Sequence, residues 1–343
     1  MYAMKRLSGI AVTLLVTAFP YGSMAQGQQP PDTKPQFVMK LAGAGINDNG
    51  HEWMKLYAAS IEAKSGGRIK AEIYPGSQLG PIPREIEDTQ LGSIQVAQFP
   101  PEFFSGVDQR FGLLAAPGLF ESEQHALRAV SDPEFRKAFL AVGESKGLIG
   151  EALLLTGPAA FAMRAPFHDL ASLRGKKIRV LASPFQMQQI AKLGATGVPL
   201  TLSDVLPALQ QGTIDGAVGT LPTFTSLGYY GAAKYINEPG SSYIFDMAVV
   251  SKRWFDTLPV DLQAMVLTTA QEAATKTNAW NFDFVAQQRK IWAEKGGEID
   301  VLSQADRAAM MESIGSVGAD IVKAKPELQP LWDLLRTAAK RSL

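Results

Sequence analysis

The chain has 343 residues, 46% of them hydrophobic, which is enough for one large or two medium domains. Its 33 basic and 33 acidic residues cancel, so it offers no basic footprint for a nucleic acid. It contains no cysteine, which excludes a disulfide framework and a thiol nucleophile.

Residues 1–25 read as a secretory signal peptide: Lys5 and Arg6 precede an apolar run from Leu7 to Phe19, and Ser23-Met24-Ala25 forms a small-x-small cleavage site. The run is short for a membrane span and no other stretch is longer, so the chain is not expected to span a membrane itself. Residues 26–36, rich in Gln and Pro, read as a flexible leader.

Phe37 to Leu41 predicts a strand, followed by GAGINDNGHEW. The Gly-x-Gly after that strand opens like a dinucleotide fingerprint, but Asp48 stands where the third glycine is needed. Asn47 or Asp48 can cap the helix that runs on to Ala63. Ile69 to Tyr74 alternates as a strand and closes in the turn YPGSQLG, with a helix from Pro83 to Leu91 and a strand from Ile94 to Phe99 behind it. Such alternation argues for a mainly parallel sheet. Phe99, Phe103 and Phe104 are either core aromatics or the walls of an apolar site.

After Pro117-Gly118-Leu119-Phe120, helices are expected over Ser122–Val130 and Glu134–Lys146. A strand over Gly147–Leu155 then leaves the first domain, crossing near Thr156 to Ala160. Residues 173–221 form a βαβ-like unit. Lys177 to Leu181 is a strand, and Ser183-Pro184 caps and starts a helix that stops at Gly194. Val198 to Leu200 is again strand-like, and Ser203 or Asp204 caps a short helix ending at Gly212. Arg179 lies near the carboxyl end of its strand, where open α/β sheets place their ligands. Its planar guanidinium presents paired donors that match a carboxylate. On residue type alone, a surface arginine beside Arg174, Lys176 and Lys177 is an equal reading.

The order and spacing of GKKIRV, LGATGVPL and SDVLPALQQGTIDG resemble the second-domain signature of the substrate-binding proteins of tripartite ATP-independent periplasmic (TRAP) transporters, the DctP family. DLASLRG, YYGAAKYIN and VSKRWFDTLP extend the likeness. The resemblance implies a two-lobed α/β binding protein of the Venus-flytrap form, with mainly parallel sheets and a long helix spanning both lobes. Lobe I would comprise residues 37–156 and 245–284, and lobe II residues 157–244 and 285–343. It further implies that Arg179 makes a bidentate salt bridge to an organic acid. Asn47, His51, Phe99, Glu102 and Phe103 would approach the ligand from lobe I, with Phe185, Gly219 and Tyr243 completing the site. For Asn47 and His51, simple capping and an exposed helix position are the competing readings.

The sequence departs from that pattern twice. A second ligand arginine of several relatives falls near Ala159, and a polar side chain, often Asn, falls at Gly219. Arg164 lies close enough to be weighed as a substitute. These departures suggest a less polar pocket, suited to an aromatic or branched monocarboxylate. Beyond the return strand at Ser242–Ser251, apolar residues recur at helical spacing from Leu262 to Ile291, predicting one long helix from Pro259 to Gly296. Helical segments at Ser303–Ala324 and Glu327–Lys340 end the chain.

Catalysis finds no motif. His51, His125 and His168 are not at zinc-ligand spacing, and there is no G-x-S-x-G elbow or P-loop. The chain is therefore expected not to be an enzyme and to need no cofactor or metal. It should be periplasmic, its partners being a small carboxylate ligand and the small and large TRAP membrane subunits. A binding protein of an ATP-driven importer and a periplasmic α/β enzyme are the alternatives.

Overall fold

The computed structural model describes residues 35–343. The expected signal peptide and most of the leader lie outside the described residues. The chain opens with β1 (Phe37–Gly43), α1 (Asn49–Lys64), β2 (Ile69–Tyr74), α2 (Ile82–Leu91) and β3 (Val96–Phe99). Two helices, α3 (Glu123–Val130) and α4 (Pro133–Leu140), precede the long β4 (Leu148–Pro158), and one residue later β5 (Ala160–Met163) begins. Then follow β6 (Lys177–Val180), α5 (Pro184–Lys192), β7 (Thr196–Pro199), α6 (Leu202–Gln211), β8 (Gly216–Gly219), α7 (Leu221–Ser226) and β9 (Tyr235–Asn237). The chain closes with β10 (Tyr243–Ser251), α8 (Lys252–Phe255), α9 (Val260–Glu294), β11 (Glu298–Asp300), α10 (Gln304–Ile314), α11 (Val317–Ala324) and α12 (Gln329–Arg341).

These strands form two sheets, ordered β2-β1-β3-β10-β4 and β11-β9-β5-β8-β6-β7. Parallel pairing joins β1 to β2 and β3, β6 to β7 and β8, and β9 to β11. Antiparallel pairing enters only with β4, β5 and β10 among the described strands. Those strands carry the chain between the sheets, and βα periodicity does not mark them. The crossing falls at Ala159, inside the stretch expected for it.

Local chemistry explains the boundaries. Asp48, not Asn47, caps α1 by accepting from the His51 N–H at 3.0 Å, while Asn47 sits at φ 53 and donates its own N–H to the His51 ring at 3.1 Å. Ser183 caps α5 through the Phe185 N–H, as expected. Thr201 occupies the cap of α6 ahead of Ser203 and Asp204, its hydroxyl donating to Asp204 at 2.8 Å. Helix α4 stops at Leu140, short of the expected Lys146, because the chain must reverse through Gly143 and Gly147 into β4. The single segment expected over Ser303–Ala324 is two helices broken at Gly315-Ser316.

Helix α9 has 35 residues, about 52 Å at 1.5 Å per residue. Its first half packs with the first sheet and α1, where Leu262, Val266 and Ala270 join Trp53 and Tyr57 in one core. The Trp53 indole N–H donates to Ala270 O at 3.0 Å. Its far end buries Trp292 in the core of the second sheet, with Phe224 and Tyr229. At the carboxyl terminus α12 packs on α3 and α4, with the His125 ring 2.7 Å from Ala339 O, while α10 and α11 pack on α5. None of the described helices is long and apolar enough to cross a membrane.

Candidate functional site

A cavity of about 510 Å³, partly open to solvent, lies between the two sheets. From the first sheet come Gly45 and Asp48 after β1, Gln98 and Phe103 at the end of β3, Thr156 on β4, and Ile244 and Asp246 on β10. From the second come Arg179 and Leu181 at the end of β6, Leu202, and Gly219, Thr220 and Thr223 at the end of β8. The parallel strands β1, β3, β6 and β8 thus present their carboxyl ends to one cleft, where such sheets hold ligands.

Arg179 is 3% exposed. The Lys-Ile-Arg-Val run of β6 pairs with β7 on one side and β8 on the other. Its side chain donates from Nε to Leu200 O at 3.1 Å and from Nη1 to Val218 O at 2.9 Å, so a carbonyl just past β7 and one within β8 fix it. Its Nη2 makes no hydrogen bond to a described residue. Burial lowers its pKa, an effect opposed by Tyr229 and Glu102. Glu102 is itself buried and is pushed up to about 7 by desolvation, with Arg179 acting in the opposite direction.

Across the cleft Asp246 accepts from the Thr156 hydroxyl at 3.2 Å. Burial raises its pKa to about 7, reinforced by the negative charges of Asp48 and Glu102 and opposed by hydrogen bonds from Gln98 and Thr156. Asp48 is raised as well, by its own burial. A side chain on Gly45 would place Cβ 1.7 Å from Asp48 Oδ2, so the Gly-x-Gly of the first loop makes room for a carboxylate and not for a phosphate.

Of the expected site residues, Arg179, Phe103 and Gly219 line this cavity together. Glu102 lies close enough to Arg179 for charge interaction but is not among the lining residues. Phe99 is fully buried against Phe104, with ring centroids 6.3 Å apart. Phe185 is buried beside Gly112. Tyr243 packs edge-on to Phe120 at 6.2 Å. Asn47 and His51 are occupied with each other at the start of α1 and do not line the cavity.

The cavity wall also carries polar side chains that the sequence reading did not name for the site. Asp48, Gln98, Thr156, Thr220, Thr223 and Asp246 all line it, none of them foreseen as ligand contacts. Ala159 lines a separate cavity with Phe161 and Val218, and Arg164 sits over Gly212 at the end of α6, so neither bears on the cleft. A readable signal existed for Asp246, because an acid inside the apolar run SYIFDMAVV has to be paired or used. The Asp215 carboxylate accepts the Lys177 N–H at 2.8 Å and serves strand register. No cluster of three or more metal-ligating side chains occurs among the described residues.

The model of the family described as "Bacterial extracellular solute-binding protein, family 7" (DctP) matches residues 43–325. The 2,3-diketo-L-gulonate-binding periplasmic protein YiaO of Escherichia coli (strain K12) is 27% identical over 296 residues, covering 82% of this chain and 89% of its own. The sugar acid binding protein DctPAm from Advenella mimigardefordensis, solved in complex with galactonate, superposes with a TM-score of 0.85 at 22% identity, covering 91% of this chain and all of its own (100%). A TRAP periplasmic solute binding protein from Desulfovibrio salexigens, solved with bound orotic acid, gives 0.84 at 23% identity over 89% of this chain and 99% of that one. At these identities the structures establish a shared two-lobed fold.

Proposed function

Since the chain belongs to the DctP family of bacterial extracellular solute-binding proteins, we propose that its cleft captures an organic acid on Arg179 and delivers it to a TRAP-type membrane permease. Relatives named for, or solved with, diketogulonate, galactonate and orotic acid support a carboxylate ligand. The observation that carries the reading is Arg179 itself: a buried guanidinium lining the cleft, with no carboxylate bonded to it among the described residues. Glu102, which interacts with it, is pushed toward its neutral form by burial, so the buried and costly Arg179 charge is left short of a counter-ion that a ligand carboxylate would supply. Planar, permanently charged donors make arginine the side chain for that task.

In this reading residues 37–156 with 245–284 form one lobe, and residues 157–244 with 285–343 the other. The lobes close because a ligand touching both binds the closed state better than the open one, shifting an existing equilibrium by that difference. The protein works in the periplasm after export on residues 1–25, does no chemistry on its ligand, and meets the small and large membrane subunits of its transporter. Arg179→Lys and Arg179→Gln test the site. Losing one partner of a buried, hydrogen-bonded charge pair costs about 2–5 kcal/mol, so carboxylate affinity should fall by at least about thirtyfold while the unliganded melting temperature holds within a few degrees. Titration calorimetry giving unchanged affinity would remove Arg179 from the site.

A further inference from the structure

The charges on the cavity wall are segregated. The second sheet contributes one cation, Arg179, and the first sheet contributes two carboxylates, Asp48 and Asp246. The rest of the wall mixes apolar Ile82, Phe103, Leu181, Leu202 and Ile244 with the uncharged polar Gln98, Thr156, Thr220 and Thr223. Arg179 is 97% buried by the complement of its 3% exposure and has Nη2 uncommitted among the described residues. In the acidic pole Asp48 Oδ1 accepts from the His51 N–H, and Asp246 accepts from Thr156 and Gln98.

We propose that the ligand is zwitterionic: a monocarboxylate whose other end carries a protonated nitrogen, with an apolar spacer, lying between Arg179 and the Asp48–Asp246 pair. The proposal rests on the carboxylate reading of Arg179 and narrows its substrate class. Against the one cation, Arg179, stand Asp48 and Asp246, both raised toward protonation by burial, and Glu102 behind the wall adds a third acid to the cluster. A dicarboxylate would set its second anion against these acids in a poorly solvated space, whereas a protonated nitrogen complements them. An ammonium adds a Coulomb attraction for the acids to the hydrogen bond that a hydroxyl could also donate, which favours the ammonium in the same place. Asp246, held up to about 7 by burial and by its acidic neighbours, would regain its charge beside such a cation.

The test is calorimetric titration of the purified, ligand-free chain with matched series of ω-amino, ω-hydroxy, unsubstituted and dicarboxylic straight-chain acids, and with diamines that lack a carboxylate. The ω-amino acids should bind about tenfold or more tighter than hydroxy acids of the same length, with dicarboxylates weakest. Asp246→Asn and Asp48→Asn should collapse that preference ratio; asparagine still caps a helix, so Asp48→Asn keeps α1. Hydroxy acids or dicarboxylates binding as tightly as amino acids, or a preference ratio untouched in both variants, would overturn the zwitterion while leaving the Arg179 clamp standing. Diamines binding as well as amino acids, with Arg179→Gln indifferent, would instead remove the clamp. No binding by any ω-amino acid would also overturn the proposal.

Discussion

Glu151, on β4, has no exposure to solvent, and burial pushes its carboxyl up to about 8. The Tyr57 hydroxyl lies 2.8 Å from Glu151 Oε1 and 3.1 Å from Val266 O. One hydroxyl proton cannot serve two acceptors. A protonated Glu151 donating to the phenol oxygen, while the phenol donates to Val266, satisfies both. Because the folded pKa is above the unfolded value of 4.5, this stabilisation is complete below about pH 4.5 and is lost as pH rises through about 8. Glu151→Gln retains a donor and cannot ionise, so its melting temperature should fall less than the parent's between pH 5 and pH 8.5, the parent losing up to roughly 1.4 kcal/mol per pH unit at this group. Superimposable pH profiles would count against it. Gly219 makes a second prediction at this scale. A Cβ there would come within 2.6 Å of the Phe224 ring, which fills the place where the family resemblance led us to expect a polar side chain. Gly219→Asn should therefore destabilise the protein by about 1–3 kcal/mol in chemical denaturation, the cost of overpacking, and not restore a ligand contact. Arg179 was legible because strand position, residue type and neighbouring motif agreed. Thr156 was not, because its meaning depends on lying beside Asp246, 90 residues away on the neighbouring strand.

At the scale of elements, the join between α9 and β4 is polar. Asn278 accepts the Leu155 N–H at 2.9 Å, Asn281 donates to Leu155 O at 2.9 Å, and Asn49 of α1 donates to the same carbonyl at 3.2 Å. These bonds fall next to Gly157 and to the register shift between Ile244 and Phe245, where β4 and β10 leave the first sheet. The asparagines do for the backbone there what a sheet neighbour does elsewhere. Asn278→Leu would leave the Leu155 N–H buried without an acceptor, and should cost about 1–3 kcal/mol in denaturant unfolding. A loss well under that range would mean that the crossing strand is held by other contacts. The same residues explain what periodicity could and could not reveal. Helix α9 was legible end to end from its apolar spacing, yet Trp280, which falls between Leu262 and Ile291 in that run, is 38% exposed and stacks over Phe284 at 4.4 Å. The inward face in mid-helix is Thr277, Asn278 and Asn281, because there the helix faces a strand leaving its sheet and not an apolar core. Most βα units were read correctly for the complementary reason: each strand, cap and stop is local chemistry. Pairing direction is not local, so the antiparallel crossings were invisible.

For the molecule as a whole, the cleft is bridged away from the cavity. The Ser226 hydroxyl at the end of α7 donates to Asn47 O, in the loop after β1, at 3.1 Å. In the two-lobe reading this bond exists only when the lobes are together. Ser226→Ala should then weaken ligand binding by about two- to tenfold, the equivalent of one ordinary hydrogen bond, without touching the ligand. Unchanged affinity would show that the bond forms equally with the lobes apart. The placement of β10 has a different consequence, in the order of events when the chain is made. It lies between β3 and β4 and begins at Tyr243, 85 positions after β4 ends at Pro158. A growing chain that has reached Ser242 has both neighbours and nothing to join them, so the first sheet cannot be completed until nearly three quarters of the sequence exists. Contacts of such separation form slowly. In the export reading proposed above, an amino-terminal lobe that cannot finish itself stays open until late in synthesis, and a chain still open is one that can be threaded through a narrow channel.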